Sequence, residues 1–588
     1  MKLLLTTLNS KYIHSNLALR YLYSCAADKM ETELKEFTIN EELFKILGSI
    51  NDIGADIIAF SCYIWNITQT AAICECIKKV KPETIIILGG PEVSHDTEEF
   101  LKENKFIDYI LMGEGEENFP MLLSYILNEK NNLSDIPGLA YKGADDLVCI
   151  NNPAGVIKDL SIIKSPYITD FQQYKNKVIY YESSRGCPYN CSYCLSATTK
   201  GVRYFPMERV KDDLKRLIDA GVGQVKFVDR TFNSDKKRAL EIWQYLLANR
   251  KDTTFHFEIS AHLIDDTMLE FLKEVPKGFF QFEIGVQSTN KETITAINRV
   301  TDFQTLSYIV KKIVNMNNIH IHLDLIAGLP YESYERFKKS FDDVYALNPH
   351  VLQLGFLKLL KGSPIRESHI NHGYKWTRLP TYEILENSYI SYDEILKLKM
   401  MEEVVETYKN SGRFEHSLNF IISKYYNSSF EFFDELSQYW KSIGVYDRKL
   451  SGEEAFDVLF DFYCKKEWND KEYLQEILKL DFCLGFFGTP KRKWANKYTI
   501  PNIKETISEL LFNKEFVEKY TEGLKDASWS EKMKVLSFEV FRFNVLAQGN
   551  EGPAMIILQR KSGKNIRNEV TAKVISPEDL KIEKIITI

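Results

Sequence analysis

The stretch Val178-Ile179-Tyr180-Tyr181 leads within a few residues into Gly186-Cys187-Pro188-Tyr189-Asn190-Cys191-Ser192-Tyr193-Cys194. The first four residues read as a strand and the rest as a loop with the spacing C-x-x-x-C-x-x-C. Three thiolates on one short loop are the donor set for three irons of a 4Fe–4S cluster, whose ligands are cysteine sulfurs. No fourth ligand stands nearby in sequence, so one iron would keep an open position. A three-cysteine zinc site and buried packing cysteines are the alternatives.

Outward from the loop, the sequence alternates strand and helix on both sides. Downstream, strands are expected at Val178–Ser183, Gln224–Asp229, Thr254–Ser260, Phe279–Val286, His320–Ile326 and Val351–Leu357. Helices fall between them at Met207–Ala220, Asp235–Arg250, Asp265–Glu274, Phe303–Asn315 and Ser333–Leu347. Six such repeats suggest a partial (β/α)₆ barrel with its chemistry at the C-terminal ends of the strands, the edge that carries the cysteine loop. Upstream, Leu3–Leu8, Ile57–Cys62, Ile85–Leu88 and Ile107–Met112 are aliphatic strands separated by helices at Asn16–Ala27 and Ile67–Val80, with another helix to about Leu127. Continuous aliphatic strands of this kind point to a doubly wound parallel sheet, which binds ligands at its strand ends.

The expected organisation is α/β: a Rossmann-like domain over 1–130, a linker over 131–177, the barrel over 178–372, and an accessory domain over 373–588. The last is helical first, as at Ile395–Tyr408 and Phe430–Lys441, and strand-rich at its end. A chain of 588 residues exceeds one ordinary core. With 44% apolar and 27% charged residues it has globular composition. No uninterrupted apolar run reaches about 18 residues, so no membrane span is expected, and the first residues lack a signal-peptide pattern. Ten cysteines without a regular framework fit a reducing compartment, hence a cytoplasmic location. A net charge of −7 neither suggests nor excludes nucleic acid. Lys491-Arg492-Lys493-Trp494 could meet phosphate or RNA, or form a solvated surface turn.

The cysteine loop, with an aromatic residue before its last cysteine, resembles the signature of the radical S-adenosylmethionine (SAM) superfamily. The resemblance implies that Cys187, Cys191 and Cys194 ligate the cluster, that its open iron chelates SAM, and that reductive cleavage of SAM yields a 5′-deoxyadenosyl radical. It also implies SAM contacts at Tyr193, Asp229, Glu258, Ser260 and Gln287, the last in Gly285-Val286-Gln287-Ser288. Asp229 could instead cap the following helix. The stretch Leu323–Pro330 resembles the family's adenine-packing segment.

The N-terminal pattern resembles the cobalamin-binding domain that precedes this barrel in one subfamily. The matching residues are Ser61-Cys62-Tyr63, Gly89-Gly90-Pro91-Glu92 and Gly113-Glu114-Gly115-Glu116, each after a strand. Implied cobalamin contacts are Asn9, Ser10, Ser61, Tyr63, Gly89, Gly90, Pro91, Gly113, Glu114 and Gly115. Glycines at strand ends let backbone approach a flat ligand. The Asp-x-His-x-x-Gly motif of methionine synthase is missing, and His14 is read as bonding backbone or phosphate rather than cobalt.

Together these imply a cobalamin-dependent radical SAM enzyme that methylates an unactivated carbon, with radical rearrangement or cyclisation, or a cobalamin or redox sensor, as alternatives. Its expected partners are a small-molecule, RNA or peptide substrate and a low-potential electron donor such as flavodoxin or ferredoxin.

Overall fold

The computed structural model describes residues 1–588 apart from 130–131, 144, 146, 169–170, 175, 200, 548–551, 562–568, 581, 583 and 588. It divides into two compact units, one of 1–337 with 355–392, the other of 338–354 with 393–588.

The first unit opens with β1 (Lys2–Asn9), α1 (Leu17–Ala26), β2 (Glu31–Thr38), α2 (Leu43–Ile53), β3 (Ile57–Ser61), α3 (Ile67–Val80), β4 (Ile85–Gly89), α4 (Thr97–Glu103), β5 (Tyr109–Leu111) and α5 (Gly115–Ile126). Two antiparallel strands, β6 (Leu139–Lys142) and β7 (Val148–Ile150), complete a sheet of order β2-β1-β3-β4-β5-β6-β7. The strands read as continuous aliphatic runs because both faces are covered. Leu4, Leu8, Phe60, Ile86 and Leu88 pack on one side, and Leu3, Leu5, Ile57, Ala59 and Ile87 on the other. The parallel order 2-1-3-4-5 puts the switch point between the carboxyl ends of β1 and β3, where such sheets bind ligands. The edge strand β2, Glu-Thr-Glu-Leu-Lys-Glu-Phe-Thr, and α2 were outside the sequence expectation, since a mostly charged edge strand carries no aliphatic run.

A second sheet follows, with strands β8 (Val178–Tyr181), β11 (Gln224–Phe227), β12 (Thr254–Glu258), β13 (Phe280–Gln287), β14 (His320–Ala327) and β15 (Val351–Phe356) in the order β15-β14-β13-β12-β11-β8. Between β8 and β11 lies a hairpin of β9 (Ser184–Cys187) and β10 (Gly201–Tyr204) that the sequence reading left as loop. The helices are α6 (Met207–Asp219), α7 (Lys236–Ala248), α8 (Asp266–Lys273), α9 (Lys291–Ala296), α10 (Phe303–Met316) and α11 (Tyr334–Tyr345). Sequential order with parallel pairing from β8 to β14 is the partial barrel expected. Period-2 alternation sorts its two faces. Phe227, Phe257, Phe280 and Phe282 point outward; Trp243 of α7 meets Phe282 at 5.4 Å and Phe257 at 6.0 Å between ring centroids. Tyr180, Lys226, His256, Gln281, Glu283, His322 and Asp324 occupy the alternate, inner positions. The inner wall is therefore polar, whereas barrels of this family of shapes usually fill with branched aliphatic side chains.

The second unit is helical over Glu415–Tyr425, Ser429–Ser442, Glu454–Lys465 and Lys471–Phe486, then forms an antiparallel sheet whose main strands are Leu536–Phe541, Ala554–Lys561 and Glu569–Val574. The basic run at 491–494 is built into this unit. Trp494 is buried with its indole N–H on Asp457, and Arg492 pairs with Asp457 and Glu453. Those two residues are engaged within the unit, while Lys491 and Lys493 remain exposed.

Candidate active site at the cysteine hairpin and the strand ends

Cys187 ends β9, Cys191 is buried, and Cys194 opens a 3₁₀ turn, accepting from the Ser196 N–H at 3.4 Å. The loop is fixed at both backbone atoms of Ser192, which donates to Ile297 and accepts from Ile365, each at 2.9 Å. Gly186 has φ +95°, and a Cβ there would lie 2.2 Å from the Gly201 carbonyl, so the hairpin admits only glycine. Thr231 lies 3.6 Å from Cys187 Sγ. Arg299 reaches Cys191 Sγ at 3.9 Å and the Tyr193 hydroxyl at 3.0 Å, and also donates to the Gly285 carbonyl. Burial pushes the Cys191 thiol up, and the Arg299 guanidinium opposes that rise.

The three sulfurs fit a cysteine-ligated cluster by donor chemistry, one per iron. Among the described residues no three His, Cys, Asp or Glu side chains are gathered closely enough to hold a single metal ion.

Asp229 is placed beneath the loop. Its carboxylate accepts from the Ser183 N–H at 2.9 Å, the Ser183 hydroxyl at 2.7 Å and the Ser184 hydroxyl at 2.6 Å. It is 1% exposed, and burial raises its pKa against those bonds. Asp229 thus braces the strand that leads into the hairpin. It does not cap the next helix; Asp235 does.

The remaining expected SAM residues cluster at the ends of β12 and β13. Ser260 Oγ bonds His262 Nδ1 at 3.0 Å, and His262 Nε2 meets the Tyr189 hydroxyl at 2.9 Å, so Ser260 is wired to the cysteine loop. Gln287 adopts φ +70° and folds its amide over Gly285, where a Cβ would come within 2.3 Å of Nε2. Its Oε1 is buried without a hydrogen-bond partner. So is Asp324 Oδ1 on β14. Burial, then the charges of Glu283 and Glu258, push Asp324 up to about 8. Glu258 is raised by burial and by Glu283. Glu283 goes the other way: burial opposes ionisation, but His256 at 2.9 Å and Lys226 at 2.9 Å hold it down to about 2. Buried polar atoms left without partners at the strand ends are what a ligand site would leave.

Arg299 and Asp324 escaped the sequence reading. Asp324 stands at an inward position of the alternating His-Ile-His-Leu-Asp-Leu-Ile-Ala, a visible signal. Arg299 follows the short helix α9 and has no pattern of its own.

At the switch point of the first sheet, Asn66 Nδ2 donates to Thr7 Oγ1, Leu8 O and Ser61 O, each at 3.1 Å, and Trp65 Nε1 donates to Leu8 O. Tyr63 stacks on Trp65 at 4.5 Å, presenting a flat aromatic face, and Trp65 is 41% exposed. Asn9 and Ser61 end their strands here, both buried, with the Asn9 amide donating to Glu36 and the His14 carbonyl, and Ser10 follows Asn9. A flat ligand held by backbone and an aromatic face fits this geometry.

Gly90 also has a structural requirement of its own. At φ +108° its Cβ would lie 2.5 Å from the Cys62 carbonyl, so the neighbouring strand end requires glycine there. Gly113 has φ +86°. Gly89 and Pro91 flank Gly90, and Gly115 begins α5 against Leu22. Glu114 is engaged by Arg203 and the Ile157 N–H. His14 Nδ1 bonds the Tyr180 hydroxyl at 2.7 Å, and burial lowers its pKa.

Three family models match parts of the chain. Residues 3–123 match the B12 binding domain, 181–344 the radical SAM superfamily, and 370–558 a protein family of unknown function (DUF4080). The cobalamin-dependent radical SAM methyltransferase TokK of Streptomyces tokunonensis is 24% identical over 60% of this chain and 54% of its own. The 2-(S-pantetheinyl)-carbapenam-3-carboxylate methyltransferase of Streptantibioticus cattleyicolor is 25% identical over 59% and 53%. The chain thus spans about half the length of these two relatives. An uncharacterized methyltransferase of Pyrococcus horikoshii, PH0819, is 24% identical over 65% and 83%. Among solved structures, the cobalamin-dependent radical enzyme OxsB aligns with TM-score 0.60 at 14% identity over 83% of this chain and 82% of its own. TsrM from Kitasatospora setae aligns at 0.55, with 16% identity over 64% and 78%. At such identities the structures speak for the fold alone. The chain thus carries a match to the B12 binding domain over 3–123 ahead of a match to the radical SAM superfamily over 181–344.

Proposed function

We propose that the chain is a cobalamin-dependent radical SAM enzyme, a methyltransferase acting on an unactivated carbon. Cys187, Cys191 and Cys194 would hold a 4Fe–4S cluster, and the crevice at Asn9, Ser10, Ser61 and Tyr63 would hold cobalamin. The cluster, SAM and cobalamin together supply radical generation and the methyl group, chemistry that protein side chains do not provide. The observation that carries the reading is the cysteine hairpin itself, placed at the carboxyl end of β8 by the Asp229–Ser183 brace.

The chain's own residues bind and orient. Gln287, Ser260 and Glu258 offer polar contacts for SAM at the strand ends, and Tyr193 offers its backbone. Asp324, raised to about 8, is mostly protonated at pH 7 and can donate a hydrogen bond from the inner wall. Arg299 adds positive charge beside Cys191, favouring the thiolate. His14 bonds the Tyr180 hydroxyl through Nδ1 and is not among the residues that would hold cobalamin. The functional division follows the sequence: 1–130 for cobalamin, 131–177 as linker, 178–372 for SAM and 373–588 as accessory domain. The reaction needs a low-potential donor, such as flavodoxin or ferredoxin, and a reducing compartment such as the cytoplasm.

The test is product analysis with labelled SAM. A methyltransferase releases both S-adenosylhomocysteine and 5′-deoxyadenosine and leaves a labelled methyl on the product. Deoxyadenosine without S-adenosylhomocysteine or methyl gain would indicate rearrangement or cyclisation instead.

A further inference from the structure

The turn after β5 is bound to the cysteine hairpin by charge. Arg203 on β10 makes a two-pronged bond to Glu114, Nη1 to Oε2 at 2.9 Å and Nη2 to Oε1 at 2.6 Å. Its hairpin neighbour is Arg185 on β9, two residues before Cys187. Arg185 donates to Glu182 at 2.8 Å and to Glu116, and its Nη1 lies 3.8 Å from Glu114. The five side chains retain between 9% and 20% exposure. The Arg185 guanidinium lies 5.0 Å from the Tyr21 ring centroid and 5.6 Å from that of Phe205.

Three carboxylates thus face two guanidiniums in a half-dry setting. Removing or shifting one guanidinium leaves carboxylates without compensation, which a low-dielectric site penalises strongly. Planar forks fix direction as well as distance, so the hairpin and the turn move together or not at all. The turn Gly113–Glu116 stands at the strand ends of the domain assigned to cobalamin, and the hairpin presents Cys187.

We propose that Arg185 and Arg203 are positioning residues that couple the two cofactor sites, so that loading the cysteine loop raises the affinity of the N-terminal domain for cobalamin. This rests on the functional reading above. Coupling between sites is reciprocal and is measurable as a ratio of affinities. A staple that merely stabilises the fold would leave that ratio at one.

The experiment titrates hydroxocobalamin by absorbance into the full chain, with the cluster reconstituted anaerobically and with it absent. The wild type should bind at least about five-fold more tightly when the cluster is present, the low end of typical coupling. In Arg203→Lys and Arg203→Gln, iron content should stay at about four per chain while the ratio falls to near one. A ratio of one in the wild type, or an undiminished ratio in both variants, overturns the coupling. A wild-type chain that takes up iron and sulfide but no hydroxocobalamin overturns the functional reading on which it rests.

Discussion

Asp229 accepts two hydrogen bonds from Ser183, one from its N–H and one from its hydroxyl, across 46 residues of sequence. The carboxylate at the end of the second barrel strand thereby sets the path of the first strand into the cysteine hairpin.

Asp229→Asn keeps the volume but puts an amide donor where three donors converge. Each buried donor left unsatisfied costs about 1–3 kcal/mol. The variant should melt at lower temperature than wild type and take up less iron on reconstitution, measured by thermal denaturation and iron analysis. Full iron content with unchanged melting would show that the brace is dispensable.

Asp324 gives a pH dependence with a definite sign. Its folded pKa is raised to about 8 from an ordinary value of 3.8. Between those values the folded state keeps a proton that the unfolded chain releases. This group's contribution is therefore fully present below about pH 4 and is lost as pH rises to about 8. Relative to Asp324→Asn, the cofactor-free wild type should lose stability between pH 5 and 8 in denaturant titrations. A parallel pH profile for the two proteins would contradict the burial of this carboxyl.

Gly90→Ala should destabilise the chain in the absence of any cobalamin, because the added Cβ meets the Cys62 carbonyl at 2.5 Å and φ is +108°. Strain of this kind costs on the order of 1–3 kcal/mol. Chemical denaturation of the cofactor-free protein measures it. An effect seen only as weaker cobalamin binding would assign the glycine to the ligand.

His14→Ala should leave the spectrum of bound cob(II)alamin without change, since the Asp-x-His-x-x-Gly pattern of cobalt-ligating histidines is missing around His14. Electron paramagnetic resonance reads this directly. Loss of a nitrogen hyperfine signal in the variant would make His14 a cobalt ligand.

Much of the fold was legible because buried strands are written as aliphatic runs or strict alternation: Ile57–Ser61, Phe280–Gln287 and His320–Ala327 lie within a few residues of expectation. The edge strand Glu31–Thr38 was not, because its exposed charges mask the period. The four-residue strands of the hairpin were missed because Ser-Arg-Gly-Cys carries no strand signal without its partner. Within the site, the cysteines announce themselves by spacing. The pairs Asp229–Ser183, Arg299–Cys191 and Arg203–Glu114 join residues 46, 108 and 89 apart, and no local pattern records such contacts. Gly90 has a requirement that its place in Gly-Gly-Pro does not announce: its conformation accommodates the neighbouring strand end at Cys62.

The central claim is that the three cysteines of one hairpin hold a cluster that cleaves SAM. Its most direct test compares wild type with Cys191→Ala after anaerobic reconstitution, measuring iron, sulfide and 5′-deoxyadenosine formed from SAM under a strong reductant. The account predicts about four irons and four sulfides per wild-type chain with deoxyadenosine formed, and loss of both cluster and product in the variant. Unchanged iron content and continued deoxyadenosine formation in Cys191→Ala would contradict it.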